Sequence, residues 1–382
     1  MGFDQFHGNP DTVQRLRAML GRDRFPHAVI LAGPEGSGKY TLAQMVAKAM
    51  NCLNSPLARR HDDQPGLGLA VEAPADNGLP DFCGVCRNCT RIAEADDLSA
   101  RCEEAVETRE SLRETDKKET RIFIQTHPEV LIIPPDPPQM MIKVDQVRHV
   151  TATIYYKPGE ARRRVYIFTA AVFMKEAANA LLKVLEEPPE FATIFLLAEN
   201  PGALLPTIRS RCVTFQLAPL QREEIERLLA QRRSELNPKQ RALVAALSGG
   251  AVGKALSFDL PLYLEARQDA LTLLSTALLA QDHSALFKVT ETYRAGAEGK
   301  EKTDRLIRTT YGLLRDLLAL KSGTAELVRN RDIENELSSM ARSAEFAWIA
   351  TASRRLGEVE SGMRRNLLRN LSLDSFVAAL EK

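Results

Sequence analysis

Residues 28–44 read AVILAGPEGSGKYTLAQ, and the order of residue types in this stretch decides the fold. The first five residues are an unbroken apolar run, which suits a short strand buried on both faces. Gly33 to Lys39, GPEGSGK, then gives the G-x-x-x-x-G-K spacing of a phosphate-binding loop. From Thr41 to Cys52 apolar residues return at helical intervals. Strand, glycine loop and helix follow one another in the order that aims backbone amides and a helix N-terminus at phosphate oxygens. The candidate nucleotide-binding residues are therefore Gly33, Gly36, Ser37, Gly38, Lys39, Tyr40 and Thr41. Lys39 supplies a formal positive charge. Tyr40 stands where such loops carry a Ser or Thr whose hydroxyl holds Mg²⁺, and Thr41 reaches that place only with a shifted register. Two readings follow: a loop that keeps nucleotide with weakened metal binding, or a glycine turn that has lost nucleotide.

Working outward, HPEVLII (127–133), RVYIF (164–168) and TIFLLA (193–198) read as further strands, and IKVDQVRHVTATIYY (142–156) reads as a helix. Strands alternating with helices predict a parallel sheet covered on both faces. Beyond VTFQLAPLQREEIERLLAQRR (213–233) the strands stop. In the helical remainder LIRTTYGLLRDLLAL (306–320) places Ile307, Tyr311, Leu314 and Leu318 on one face. At roughly 150 residues per domain, 382 residues imply two or three domains. The 51 Lys and Arg nearly balance 50 Asp and Glu, so any nucleic-acid contact must be local. No apolar run approaches the ~18 residues of a membrane span and the start has no apolar signal core, so a cytoplasmic chain with no membrane partner is expected.

The six cysteines do not suit a disulfide framework. Cys83, Cys86 and Cys89 lie in CGVCRNC, and Cys52 ends the helix after the glycine loop. Four thiolates can close a tetrahedral structural Zn²⁺ site. Iron–sulfur ligation uses similar spacing, although a Pro usually follows its last cysteine and Thr90 follows Cys89 here. Unliganded thiols are the third reading. Cys102 and Cys212 are left over, the latter read as a small buried apolar residue. Arg162, Arg163 and Arg164 suit either a solvated strand entrance or DNA phosphates. The charged stretch 98–120 reads as a solvated helix or a mobile insertion.

Phosphate-loop ATPases hold two carboxylates at the end of a neighbouring strand, one for Mg²⁺ and one for the attacking water. After RVYIF those positions are Thr169 and Ala170, which can do neither. The segments AANALLKVLEEPP (177–189) and LLPTIRSRCVTF (204–215), with FPHAVILAGPEGSGK (25–39), resemble the bacterial DNA polymerase III clamp loader, a branch of the AAA+ ATPases, over most of residues 1–256.

The resemblance implies an α/β AAA+ P-loop domain over 1–218 with an inserted zinc module at about 52–122, a small helical lid over 219–262 and an all-α collar over 263–382. It implies a non-hydrolysing stator, not an enzyme by itself, with ATP or ADP as the candidate ligand held without hydrolysis. Its expected partners are the gamma/tau and delta subunits, the sliding clamp and, through the complex, primed DNA. Arg211 of Ser210-Arg211-Cys212 matches the family's arginine finger, which neutralises phosphoryl charge in a neighbouring subunit's site. By the same resemblance Asn200 falls in a phosphate-sensing region, Lys254 stands near a sensing arginine, and His27 lies near the adenine pocket. An active gamma/tau-type ATPase and a P-loop phosphotransferase are the alternatives, and both need the acids absent at 169 and 170.

Overall fold

The computed structural model describes residues 2–22, 24–55, 79–279, 282–294, 297–363 and 368–381. Part of the expected insertion, 56–78, lies outside the described residues. The chain divides into two compact units. One comprises Met1–Leu220 with Ala251–Gly253, and the other Gln221–Gly250 with Lys254–Lys382.

The first unit is built on a six-stranded sheet: β1 (Ala28–Ala32), β2 (Ile124–His127), β3 (Val130–Ile133), β4 (Arg164–Phe168), β5 (Ala192–Ala198) and β6 (Val213–Gln216). The order is β2-β3-β4-β5-β1-β6. Pairing is parallel except between β2 and β3. Every residue of β1 and β5 is buried. Alternation divides them between two cores, because successive strand side chains point to opposite faces. Val29, Leu31, Phe195 and Leu197 enter one core. Ala28, Ile30, Ala32, Ile194 and Leu196 enter the other.

The first face is covered by α1 (Pro10–Gly21), α2 (Lys39–Asn51) and α3 (Arg87–Ala93), the second by α6 (Val144–Thr153) and α7 (Lys175–Glu186). HPEVLII proves to be the turn and second strand of a hairpin whose first strand, β2, was not expected. Gln125 and Thr126 make β2 too polar for an apolar-run reading, and as the outermost strand it needs no apolar run.

The charged stretch forms α4 (Leu98–Glu110) and α5 (Glu114–Glu119). It is tied down by Arg109, buried and paired at 2.9 Å with Asp136, which also accepts from the Ile122 N–H. A one-turn helix, α8 (Pro206–Arg209), precedes β6.

The second unit is helical: α9 (Arg222–Arg232), α10 (Pro238–Ser248), α11 (Val252–Leu256, shared with the first unit), α12 (Leu260–Leu279), α13 (Ser284–Glu291), α14 (Ala297–Lys321), α15 (Glu334–Ser343), α16 (Phe346–Met363) and α17 (Arg369–Ala378). One apolar core joins α12 and α14 to α17, and the Trp348 indole N–H donates to the Leu380 carbonyl at 2.9 Å. On α14, Ile307 and Leu314 are buried as expected and Tyr311 is half-buried. Leu318 is exposed, and the stripe runs instead through Leu306, Leu313 and Leu317. Helices on several sides of α14 draw in residues beyond the single 307-311-314-318 line.

Candidate functional site

The glycine loop leaves the carboxyl end of β1, flanked by β5 and β6 through bonds from Gly33 N–H to Ala198 C=O (3.1 Å) and from Leu217 N–H to Ala32 C=O (2.7 Å). Gly36 and Gly38 sit at φ 75° and 86°, in the left-handed region that glycine tolerates. A Cβ on Gly38 would meet the Phe6 ring at 2.9 Å, so the loop is closed to side chains there. Ser37 is buried and its Oγ has no hydrogen-bond partner among the described residues. The Lys39 ammonium donates to the carbonyls of Gly33 and Pro34, both at 2.7 Å. Burial lowers its pKa, against the opposing pull of Glu199 and Glu35. An orphaned hydroxyl, glycines in the left-handed region and a desolvated ammonium at a helix N-terminus fit a nucleotide's phosphates. Gly33, Gly36, Ser37, Gly38 and Lys39 would hold them.

Tyr40 belongs to a different structure. Its hydroxyl donates to the Ala95 carbonyl at 2.5 Å and accepts from Gln44 Nε2 at 2.7 Å, so it points along α2 toward the segment after α3. Burial raises its pKa far above the ordinary phenol value. Thr41 is exposed. Neither side chain replaces the missing Mg²⁺ ligand.

At the other end of α2 the cysteines converge. The Sγ atoms of Cys52, Cys83, Cys86 and Cys89 all lie within 4.8 Å of one another. A tetrahedron with Zn–S bonds of about 2.3 Å has sulfur–sulfur edges of about 3.8 Å, and Cys52 and Cys86 are 4.0 Å apart. Gly84, at φ 71°, turns the chain so that the Cys86 N–H donates to Cys83 Sγ at 3.2 Å. The Cys83 N–H donates to Cys52 Sγ at 3.4 Å. Hydrogen bonding from the Cys89 thiol lowers the Cys52 pKa, against burial and with help from nearby backbone N–H groups, while Cys89 is pushed up. The donor set fits a closed thiolate site, with Cys52 reached across the 30 residues before Cys83.

Between these two ends α2 is clamped to the cysteine segment. Buried Lys48 pairs with Asp96 at 2.5 Å, and Asn88 Nδ2 donates to the Asn51 carbonyl at 2.9 Å. Sequence reasoning missed this clamp because its partners lie 37 and 48 residues apart.

At the carboxyl end of β4, Thr169 N–H donates to the Ile133 carbonyl at 3.1 Å, and both Thr169 and Ala170 are half-buried. Neither offers a carboxylate. Arg211 lies between α8 and β6, about one-third exposed. Its guanidinium donates to the Thr207 carbonyl at 2.9 Å and pairs with Glu186 at 2.7 Å. Glu186 was visible in LLKVLEEPP, but nothing in the spacing reveals that α7 brings it to Arg211.

Asn200 caps a short turn, accepting from Gly202 N–H at 2.8 Å. The arginine run is anchored, not free: Arg162 donates to the Met50 carbonyl, Arg163 N–H to Asn51 Oδ1 at 3.0 Å, and Arg164 pairs with Glu129 at 3.1 Å. His27 is half-buried at the entrance to β1. Cys212 is half-buried against the second core, and burial pushes its thiol up to about 12. Lys254 is exposed in the helical unit.

A glycine phosphate loop at the carboxyl end of a central parallel strand defines a phosphate-loop α/β protein. The family described as DNA polymerase III, delta subunit, matches residues 69–221. DNA polymerase III subunit delta' of Bacillus subtilis is 23% identical over 333 residues, covering 87% of this chain and 84% of that protein. Subunit delta' of Pseudomonas aeruginosa is 31% identical over 209 residues, covering 54% and 48%. Subunit tau of Escherichia coli is 26% identical over 255 residues, covering 65% and 31%. The chain thus spans most of the first relative, about half of the second and about a third of tau. It is similar to DNA polymerase III subunits of the delta' and tau types.

Proposed function

We propose that this chain is the delta-prime-type stator of a bacterial clamp loader, an AAA+ subunit that assists loading of the sliding clamp on primed DNA without hydrolysing ATP itself. The observation that carries this reading is the pair Thr169 and Ala170 at the end of β4, where hydrolysis needs two carboxylates. At the end of β4, ATP or ADP bound at the glycine loop would meet Thr169 and Ala170, neither of which can hold Mg²⁺ or polarise water. When bound, nucleotide supplies phosphate charge that Lys39 and the α2 N-terminus hold in place.

In this reading Arg211 acts in trans. Its guanidinium sits near the surface, held by Glu186, and neutralises charge on the phosphoryl group in an adjacent gamma/tau subunit. Zn²⁺ on Cys52, Cys83, Cys86 and Cys89 is structural, because four protein ligands leave no open position. Beyond residue 218 the chain divides into a lid over 219–262 and a collar over 263–382 that joins gamma/tau and delta in a hetero-pentamer, and the assembly works in the cytoplasm.

ATP hydrolysis is measured with the purified chain alone, then with gamma/tau, delta, clamp and primed DNA. The stator reading expects no turnover alone and clamp-stimulated turnover that requires this chain. Arg211→Ala should keep the fold and lower the turnover of the full mixture by tenfold or more. Robust turnover by the chain alone would restore the motor or phosphotransferase reading, and an unchanged rate with Arg211→Ala would remove the finger.

A further inference from the structure

The helical unit contains a cleft of 490 Å³ that the proposed function does not use. One wall is a stripe of α14 running from Glu301 and Asp304 through Arg305, Arg308 and Gly312 to Arg315, residues that share a face at helical spacing. Lys254 and Arg329 line the same cleft. Five cationic side chains thus face three carboxylates, those of Asp259, Glu301 and Asp304.

The charges behind the cleft are already satisfied. Asp316, fully buried, accepts from Arg315 at 2.5 Å, from the Arg329 and Asn330 N–H groups at 3.2 and 2.9 Å, and from Asn330 Nδ2 at 2.9 Å. Asn330 Oδ1 in turn accepts from the Tyr263 hydroxyl at 2.7 Å and from Arg267 at 3.1 Å. This network holds Tyr263 at the cleft. By contrast, the side chains of Lys254, Arg305, Arg308 and Arg329 make no hydrogen bond or ion pair among the described residues. Burial, and then the neighbouring Arg315, lower the proton affinity of Arg329. Like charges gathered without partners around one cavity favour an anion that bridges them.

The floor agrees. Gly312 sits within α14, where glycine costs about 1 kcal/mol relative to alanine. A Cβ there would meet nothing within 4 Å. No packing contact therefore requires glycine at this position, and its effect is to deepen the cleft. The charge is also ordered along α14, with carboxylates at 301 and 304 and cations from 305 to 315.

We infer that this cleft is a second ligand site, built for a small phosphate ester of nucleotide size. Its phosphates meet the arginine end, and its hydroxyl or amino donors meet Glu301 and Asp304. A volume of this order matches ordinary small-molecule pockets.

The test is made in the full chain carrying Lys39→Ala, which removes the glycine loop's ammonium, with ADP, adenosine and pyrophosphate titrated separately by calorimetry. Saturable ADP binding near one per chain, with adenosine at least tenfold weaker, is expected. Adding Arg308→Gln and Arg329→Gln should weaken ADP at least tenfold. If that variant loses its cooperative melt, Gly312→Met, which fills the floor, decides in its place with the same expected loss. The inference is overturned by the absence of saturable ADP binding, by an affinity that the deciding variant leaves unchanged, or by pyrophosphate binding where ADP does not.

Discussion

Tyr40 shows how one residue can look like a defect in a motif and be a fixture of the fold. Its hydroxyl bridges the Ala95 carbonyl and the Gln44 amide, so removing it leaves that carbonyl only the longer 3.5 Å bond from Gln44 Nε2. Tyr40→Phe should cost about 1–2 kcal/mol, read as a lower urea midpoint, and leave the affinity for a fluorescent nucleotide unchanged. A change in nucleotide affinity with unchanged stability would return Tyr40 to the phosphate site. His127 carries a second prediction at this scale. It is fully buried, its Nδ1 accepts from the Glu129 N–H at 3.1 Å, and its Nε2 is unpartnered among the described residues. Burial, then Arg91, lower its pKa, with Glu129 and Glu160 opposing and Arg87 adding to the effect. A depressed folded-state pKa means that stability is full above the unfolded value of about 6.5 and is lost as pH falls from there through the folded pKa. The slope is at most about 1.4 kcal/mol per pH unit from this group. His127→Asn, which keeps an acceptor, should flatten the stability profile between pH 5 and 7, and an unaltered profile would show that His127 does not titrate with unfolding.

At the scale of elements, α2 links two sites. It begins at Lys39 and ends at Asn51, about 20 Å on at 1.5 Å per residue, with Cys52 next. The phosphate loop and the cysteine cluster therefore share one rigid rod. Full-length protein should contain one Zn²⁺ per chain by elemental analysis, and Cys89→Ser should lower that ratio and the melting temperature together. Loss of α3 packing, where Ile92 and Cys89 are fully buried, accounts for the second effect. Stoichiometric iron, or a metal-free protein of unchanged stability, would overturn the zinc assignment. The same elements show what was legible in the sequence. β1, β4 and β5 are readable because strands buried on both faces must be continuously apolar. β2 was not, since an outer strand can carry Gln125 and Thr126. Leu318 misled because helical spacing gives a face without saying how many neighbours wrap it.

For the whole molecule, the separation of cores gives the prediction. The sheet's two cores and the helical core draw on different parts of the chain, and all the residues of the latter lie between Ala270 and Leu380. A fragment beginning at Gln221 should therefore unfold cooperatively on heating with a helical circular dichroism spectrum. A gradual, non-cooperative melt would mean that the helical unit depends on the sheet. The near-neutral balance of charge over the chain conceals local asymmetry. The cleft on α14 gathers five cations in a protein whose formal net charge is +1.

The order of strand, glycine loop and helix, the change from alternating strands and helices to helices alone, and the lack of carboxylates at 169 and 170 were determined by the sequence itself. Each is a property of residue type at short spacing, where the periods of strand and helix are written directly. Only the tertiary structure decided that Tyr40 faces Ala95, that Cys52 joins three cysteines beyond position 82, that Glu186 holds Arg211, and that Lys254 and Arg329 meet one face of α14. Those pairings join segments far apart in the chain, and which of them meet is set by how the helices pack, which no local period records.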